Sequence, residues 1–313
     1  MQNFVMGEFH ELQALAKINL RLKVVGRLEN GHHLLQMVNV LTSLSDSIKI
    51  AIKKTPSINI QVSGYEENGL PSSSSDNIIY KTIHSFFSAI SLDYGADVLL
   101  EKNIPIGAGL GGGSSDAATI LRYLSEVFSS EVILRKLDLF ALGTSLGADI
   151  PYLLNGGLAL VEGIGEVITP IQISNDLFSN LQCAILVPNE RINTAQAFKL
   201  YREHNPEIRF DNSDLLTADN CFNILNSSNN FQSLLDLCEN DLTAPAELIS
   251  NQVKETLALF KNDNLVKVCL TGSGSAMFVL PKDRKIDLIN VLRTKIIEKN
   301  INFLKIIPIN LLV

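Results

Sequence analysis

The run Pro105-Ile106-Gly107-Ala108-Gly109-Leu110-Gly111-Gly112-Gly113-Ser114-Ser115 is where this chain's composition most directly implies chemistry. Five of the seven residues from Gly107 to Gly113 are glycine, which frees the backbone from side-chain bulk and permits positive φ angles. Successive N–H groups can then converge on one anion. Ala117, Ile120, Leu121, Leu124, Val127 and Phe128 follow at helical spacing. A helix starting near Ser114 adds unpaired N–H groups and the positive end of its dipole, and the Ser114 and Ser115 hydroxyls stand at the same place. Such a segment is a cradle for phosphate. Gly107, Gly109 and Gly112 also fit GxGxxG, but a dinucleotide fold carries that pattern in its first βαβ unit. Here it comes after several strands that read as antiparallel. A Walker A loop needs a lysine where Ser114 stands, and a flexible linker would not run straight into so regular a helix.

Lys17 belongs to a strictly alternating stretch, Ala16 to Val25. Ile18, Leu20, Leu22 and Val24 share one face, and Lys17, Asn19, Arg21 and Lys23 the other. Taken alone, a lysine so placed is solvated surface. Asp149 lies in Leu146-Gly147-Ala148-Asp149-Ile150-Pro151, whose apolar flanks solvate a carboxylate poorly. Acids are retained in such settings for function or for a paired cation, the plainer reading being a cap on the preceding helix. Thr271-Gly272-Ser273-Gly274-Ser275-Ala276 is by itself a turn between strands, Gly31-His32-His33 two exposed turn histidines, and Phe198 a core residue.

The elements that must position these residues follow from periodicity. After the Asn30-Gly31 turn, Leu34 to Leu44 returns as a second strand, and Ser47–Ile52 and Ser57–Val62 alternate likewise. Pro71 to Ser75 is a polar loop, and Asp76 is placed to cap a helix running through Ile90. A strand begins at Val98, and a helix covers Val132 to Leu142. Further on, strands are expected at Leu158–Glu162, Ala184–Val187, Val266–Leu270, Ala276–Leu280 and Phe303–Ile309. Helices are expected at Thr194–Glu203, Phe231–Cys238, Ala246–Phe260 and Lys285–Glu298. Interleaving with antiparallel connections implies α+β layers, with a soft domain boundary between Asn155 and Thr169.

The 313 residues suit two domains of ordinary size, and 46% hydrophobic with 19% charged residues is a globular balance. A net charge of −7 argues against nucleic acid as partner, so an enzyme that binds nucleotides must gather positive potential locally. Met1 to Leu20 lacks the pattern of a secretory signal, and no apolar run has the length of a membrane span. Cys183, Cys221, Cys238 and Cys269 show no metal-like spacing and read as reduced, buried thiols. A cytoplasmic protein is expected.

Pro105–Ser115 resembles the second signature of the GHMP kinases (galactokinase, homoserine kinase, mevalonate kinase and phosphomevalonate kinase). The triple glycine before Ser114-Ser115-Asp116-Ala117-Ala118 is most similar to their diphosphocytidyl-methylerythritol kinase branch. Ala16-Lys17-Ile18-Asn19-Leu20 resembles the family's first motif, Leu146–Pro151 its Leu-Gly-Ala-Asp-Val-Pro segment, and Thr271–Ala276 its third signature. The matches run in order from Ala16 to Phe278.

The resemblance implies an α+β, two-domain fold. It has a ribosomal-protein-S5-like ATP-binding and catalytic domain, residues 1–160, and a ferredoxin-like substrate domain, residues 161–313. It implies that Pro105, Ile106, Gly107, Ala108, Gly109, Leu110, Gly111, Gly112, Gly113, Ser114 and Ser115 wrap the phosphates of ATP. Asp149 is then the catalytic base, and Lys17 orients it and stabilises developing charge. Gly272, Ser273 and Gly274 shape the site. His33 would contact a cytosine, His32 would stack on it where the branch usually has tyrosine, Phe198 would supply the other face, and Asn19 would bind the substrate. Asn240-Asp241-Leu242 resembles a further short family segment, and Asn77 begins a helix near the adenine. The implied partners are ATP, carrying its own Mg2+ with no metal site built from protein, and a cytidine-diphosphate-linked polyol lying between the domains. The implied state is a monomer or weak homodimer, with no nucleic acid or membrane. Another GHMP activity, of homoserine or mevalonate type, and a non-catalytic ligand sensor are the alternatives. The triple glycine and Gly31-His32-His33 disfavour the first, and retention of both Lys17 and Asp149 disfavours the second.

Overall fold

The computed structural model describes residues 5–64, 76–173, 176–205, 215–227, 230–301 and 303–313. In chain order the elements are β1 (His10–Arg27), β2 (His33–Lys53), β3 (Ile58–Gly64), α1 (Ile78–Ala89), β4 (Gly95–Lys102), α2 (Gly112–Val127), α3 (Ser129–Arg135), α4 (Leu139–Leu146) and α5 (Ile150–Asn155). There follow β5 (Ala159–Gly163), β6 (Val167–Pro170), β7 (Cys183–Pro188), α6 (Thr194–His204), α7 (Ala218–Leu225), α8 (Asn230–Leu237), β8 (Glu239–Asn240), α9 (Thr243–Ile249) and α10 (Asn251–Phe260). The chain ends with β9 (Val266–Leu270), β10 (Met277–Pro281), α11 (Leu288–Glu298), β11 (Leu304–Ile309) and β12 (Leu311–Leu312). No helix among the described residues is long and apolar enough to cross a membrane.

The chain divides into two compact units. One comprises residues 1–16, 44–106 and 111–155, the other residues 17–43, 107–110 and 156–313. In the first, β4 pairs antiparallel with the second half of β2 (Ser47 opposite Glu101) and parallel with β3 (Ile60 opposite Val98). Period-2 burial of Ile48, Ile50 and Ile52 on β2, matched by Ala96, Val98 and Leu100 on β4, gives the sheet its apolar face. Buried residues Ile79, Ile83 and Phe86 of α1, with Ala117, Ile120, Leu121 and Leu124 of α2, recur at helical spacing and complete this core.

In the second unit, β5 pairs with the first half of β2 (Leu35 opposite Gly163), β6 with β5, and β8 runs parallel to β1 (Arg21 opposite Glu239). A separate antiparallel sheet has the order β11-β7-β10-β9, with helices connecting β7 to β9 and α11 connecting β10 to β11. Counting those strands in chain order gives 4-1-3-2 with β-α-β-β-α-β connectivity, the split βαβ arrangement of ferredoxin-like domains.

Several expectations need correction. Leu34–Leu44 and Ser47–Ile52 are one strand, because Asp46 at the supposed break is buried and bonded, not turned out to water. Asn77, not Asp76, caps α1, its Oδ1 accepting from the Ile79 N–H at 2.9 Å. The Val132–Leu142 helix is two, α3 and α4, interrupted where Lys136 adopts φ +50° and Asp138 caps anew. Ala246–Phe260 is likewise split at Ser250, whose Oγ accepts from the Val253 N–H. The second face of β1 is not solvated: Lys17, Asn19 and Arg21 are all buried. The Pro71–Ser75 loop lies outside the described residues. All four cysteines are free thiols, three of them buried, and burial pushes Cys183 up to about 12 and Cys221 up to about 11.

Candidate active site

The glycine run is shaped as its composition demands. Gly107, Gly109 and Gly111 have φ of +70°, +80° and +71°, angles that residues with a Cβ rarely adopt. In the first unit, Gly111 is the N-cap of α2 and offers no side chain to the helix, so the first-turn N–H groups have no side-chain cap. The helix begins at Gly112, two residues before the expected start. The two serines of the run differ. Ser115 is buried, its hydroxyl donating to the Leu15 carbonyl at 2.6 Å. A Cβ added to Gly147 would stand 3.6 Å from Ser114 Oγ, so the Gly147–Asp149 turn passes alongside Ser114.

Asp149 immediately precedes α5, and its carbonyl accepts from the Leu153 N–H at 3.1 Å. It therefore heads the following helix instead of ending the preceding one. Arg122 of α2 donates to the Leu153 and Leu154 carbonyls at 2.6 and 3.1 Å, which fixes the far end of α5. Burial, and after it the Asp149 carboxylate, push the Tyr152 phenol far upward, so that it stays protonated.

The second unit brings Lys17, Asn19, the middle of the glycine run and the third-motif turn together. Lys17 Nζ donates to Asn19 Oδ1 at 2.9 Å, and the Lys17 N–H donates to the Leu110 carbonyl at 3.1 Å. The Asn19 N–H donates to Thr271 Oγ1 at 2.9 Å, and the Ala276 N–H donates to the Ala108 carbonyl at 3.1 Å. Backbone meets backbone here: a Cβ on Gly109 would lie 2.5 Å from the Thr271 carbonyl oxygen, and one on Gly272 2.8 Å from that of Gly109. Asn240 secures the turn from behind, its Nδ2 donating to the Leu270 and Gly272 carbonyls, and Ser273 Oγ pairs with Thr194 Oγ1 at 2.8 Å.

His33 and Phe198 also meet in the second unit, with ring centroids 4.9 Å apart and planes at 24°, and Tyr201 approaches His33 edge-on at 6.2 Å. His33 Nε2 is buried with no hydrogen-bond partner. Burial, then the nearby Arg202, Arg27 and His32, depress the His33 pKa, so the ring is neutral at pH 7. His32 is exposed, its N–H bonded to Asn30 Oδ1.

Residues that no motif marks also enter. Tyr201 is one. Arg191 is another, its Cδ lying 3.6 Å from where a Gly107 Cβ would stand. Asn39 is a third, buried and accepting from Asn19 Nδ2 at 2.6 Å through its Oδ1. Only the three- to four-residue spacing of Phe198 and Tyr201 on one helix could have suggested the first.

The GHMP kinases N terminal domain family matches residues 77–157. The "4-diphosphocytidyl-2-C-methyl-D-erythritol kinase" of Prochlorococcus marinus (strain AS9601) is 34% identical over 91% of this chain and 89% of its own length. The protein of that name from Clostridium kluyveri is 33% identical over 87% and 91%. Among solved structures, a 4-(cytidine 5'-diphospho)-2C-methyl-D-erythritol kinase matches with a TM-score of 0.66 and 26% identity, over 96% of this chain and 99% of that one. A homoserine kinase from Cytophaga hutchinsonii shares the fold, with a TM-score of 0.68 and 12% identity over 100% and 97%. With a third of positions identical across nearly the whole of both chains, this chain belongs to the 4-diphosphocytidyl-2-C-methyl-D-erythritol kinase family of GHMP kinases.

Proposed function

We propose that the chain transfers the γ-phosphoryl group of ATP to the 2-hydroxyl of 4-(cytidine 5'-diphospho)-2-C-methyl-D-erythritol, giving the 2-phosphate and ADP in non-mevalonate isoprenoid precursor synthesis. The observation that carries this reading is the left-handed glycine run ending on the uncapped N-terminus of α2, a set of backbone donors suited to a polyphosphate. Family membership supports the acceptor. Residues 1–160 bind ATP, carry the chemistry and bring His32 and His33 to the substrate, and residues 161–313 supply further substrate contacts such as Phe198.

The roles follow from the groups available. Asp149 takes the proton of the acceptor hydroxyl as that oxygen attacks phosphorus and the bond to the β-phosphate oxygen breaks. The Lys17 ammonium, held by Asn19 Oδ1, stabilises the negative charge that develops. The cytosine edge is met by His33 Nε2, the buried ring nitrogen with no partner, and the base stacks against His32 and Phe198. Mg2+ would come with the nucleotide, and the Ser114 hydroxyl, an oxygen of the right hardness beside the cradle, would hold it there, where it would supply neutralisation of phosphate charge. The enzyme works in the cytoplasm on small molecules, as a monomer or weak homodimer.

A coupled ADP-release assay with the cytidine substrate is the test. Turnover that requires both ATP and this substrate is expected. Nucleotide binding without turnover would mean a ligand sensor, and turnover with homoserine or mevalonate instead would mean another GHMP activity.

A further inference from the structure

Three ionisable side chains that the transfer does not use lie in the first unit beside the two ends of the glycine run. Asp46 on β2, Lys102 at the end of β4 and Asp116 in the second turn of α2 are each at most 3% exposed. Lys102 Nζ donates to Asp46 Oδ2 and, at 2.7 Å, to Asp116 Oδ2. Asp46 Oδ1 accepts the backbone N–H groups of Asn103 (2.6 Å) and Ile104 (2.8 Å), the two residues that lead into Pro105. A Cβ on Gly112 would meet Lys102 Nζ at 3.4 Å and Ile104 Cγ2 at 3.0 Å, so the first residue of α2 rests directly on this cluster.

Burying three ionisable groups is a poor way to gain stability, since apolar packing of similar volume does as well or better. What the cluster supplies is direction. One carboxylate ties down the residues leading into the run, the other belongs to the helix leading out of it, and one ammonium joins them. Burial works against the Lys102 charge, but its partners Asp116 and Asp46 outweigh it and its pKa is raised.

We propose that Asp46, Lys102 and Asp116 are positioning residues for the nucleotide: they fix both ends of the glycine run against the sheet, so that the α2 N–H groups stand ready for phosphate. The proposal rests on the reading of that run as the ATP cradle. Misplacing such donors by about 1 Å costs on the order of 10²-fold in a process that depends on them. Asp116 keeps an acceptor for Lys102 whether ionised or not, and so does the asparagine isostere.

The test measures dissociation constants for a non-hydrolysable ATP analogue and for the cytidine substrate by calorimetry, together with kcat and the KM for ATP. Asp116→Ala should weaken the analogue roughly 10- to 100-fold, raise the KM for ATP in step and leave cytidine-substrate affinity unchanged. Asp116→Asn should restore nucleotide affinity to near the wild-type value, which a role through net charge would not allow. Should the alanine variant fail to fold, Asp46→Asn decides. Its Oδ1 still accepts from the backbone, but its amide cannot accept from Lys102, so the same nucleotide-specific loss is expected. Equal weakening of both ligands, or an asparagine at 116 no better than alanine, overturns the proposal. Gly111→Val separates it from the reading beneath it. Nucleotide affinity lost there but kept in Asp116→Ala and Asp46→Asn overturns the positioning role alone. Affinity kept in all three overturns the cradle as well.

Discussion

Asp149 stands half-buried one residue ahead of α5, at the N-terminal end of that short helix. Replacing it by asparagine preserves shape and removes the carboxylate proposed to accept the proton. Turnover should then fall about 10²- to 10⁴-fold while ATP affinity stays close to wild type, as read from steady-state kinetics and calorimetry. Turnover within threefold of wild type, roughly 0.7 kcal/mol, would remove Asp149 from the chemistry. Asp116 governs a different property. Burial pushes its carboxyl up to about 8, Lys102 opposing the shift and Asp46 adding to it. An acid with a raised pKa in the folded state keeps its proton while the unfolded chain, titrating near the ordinary carboxylate value, has lost it. Its contribution to stability is therefore complete at acid pH and declines as pH climbs from about 4 towards about 8, by at most about 1.4 kcal/mol per pH unit. Asp116→Asn cannot titrate, so its stability relative to wild type should improve steadily over that window in urea titrations. A difference that stays flat with pH would show that Asp116 is ionised throughout. Lys17 and Asp149 were both legible as candidates from their motifs. That the polar face of β1 is buried was not, because alternation reports which residues share a face and not whether the second face is covered.

At the scale of elements, periodicity located most helices and strands but missed breaks made by single residues. Ser250 is the clearest case. It is 1% exposed, its Oγ accepts from the Val253 N–H at 3.1 Å, and its hydroxyl donates to Glu190 Oε2 at 2.6 Å. The extended backbone of Ser250 thus ends α9, and its hydroxyl starts α10 and holds a carboxylate from the loop after β7. An apolar pattern that continues through both helices cannot reveal such a break; only the serine hints at it. Ser250→Ala should lower unfolding free energy by about 1–2 kcal/mol, the usual worth of an N-cap. kcat should be unchanged, since no group assigned to substrate touches it. Loss of activity without loss of stability would mean that this break positions the site. The join of α3 to α4 is similar in kind: Lys136 in the left-handed region and the Asp138 cap interrupt a stretch whose apolar spacing alone reads as one helix. The long β2 shows the opposite error. A Ser45-Asp46 pair has the composition of a turn, and the strand continues through it because Lys102 neutralises the buried carboxylate.

For the molecule as a whole, the α+β class was readable from the succession of strands and helices, whereas the ferredoxin-like order of the second sheet was expected only from the family resemblance, because succession alone does not fix which strands become neighbours. The fold nevertheless leaves the acceptor open: a homoserine kinase matches it with a TM-score of 0.68. Selectivity must therefore come from side chains, and the second unit offers His33, Phe198 and Tyr201 for it. With centroids 4.9 Å apart, the His33 and Phe198 rings leave no room for a base between them. A pyrimidine must stack outside the pair or part it, and His33 Nε2 is the polar atom it would satisfy. A neutral imidazole bonded to a base edge discriminates by the cost of leaving buried groups unpaired, which reaches about 10⁴-fold in favourable sites. The uridine analogue exchanges the 4-amino donor for an acceptor and should show kcat/KM lower by about 10²- to 10⁴-fold. Methylerythritol phosphate, without any nucleoside, should be poorer still. His33→Phe should keep the stack, abolish the preference between cytidine and uridine, and leave the KM for ATP unchanged. Equal kcat/KM for the two nucleotides with the wild-type enzyme would dissociate His33 from base recognition and leave the phosphate cradle standing.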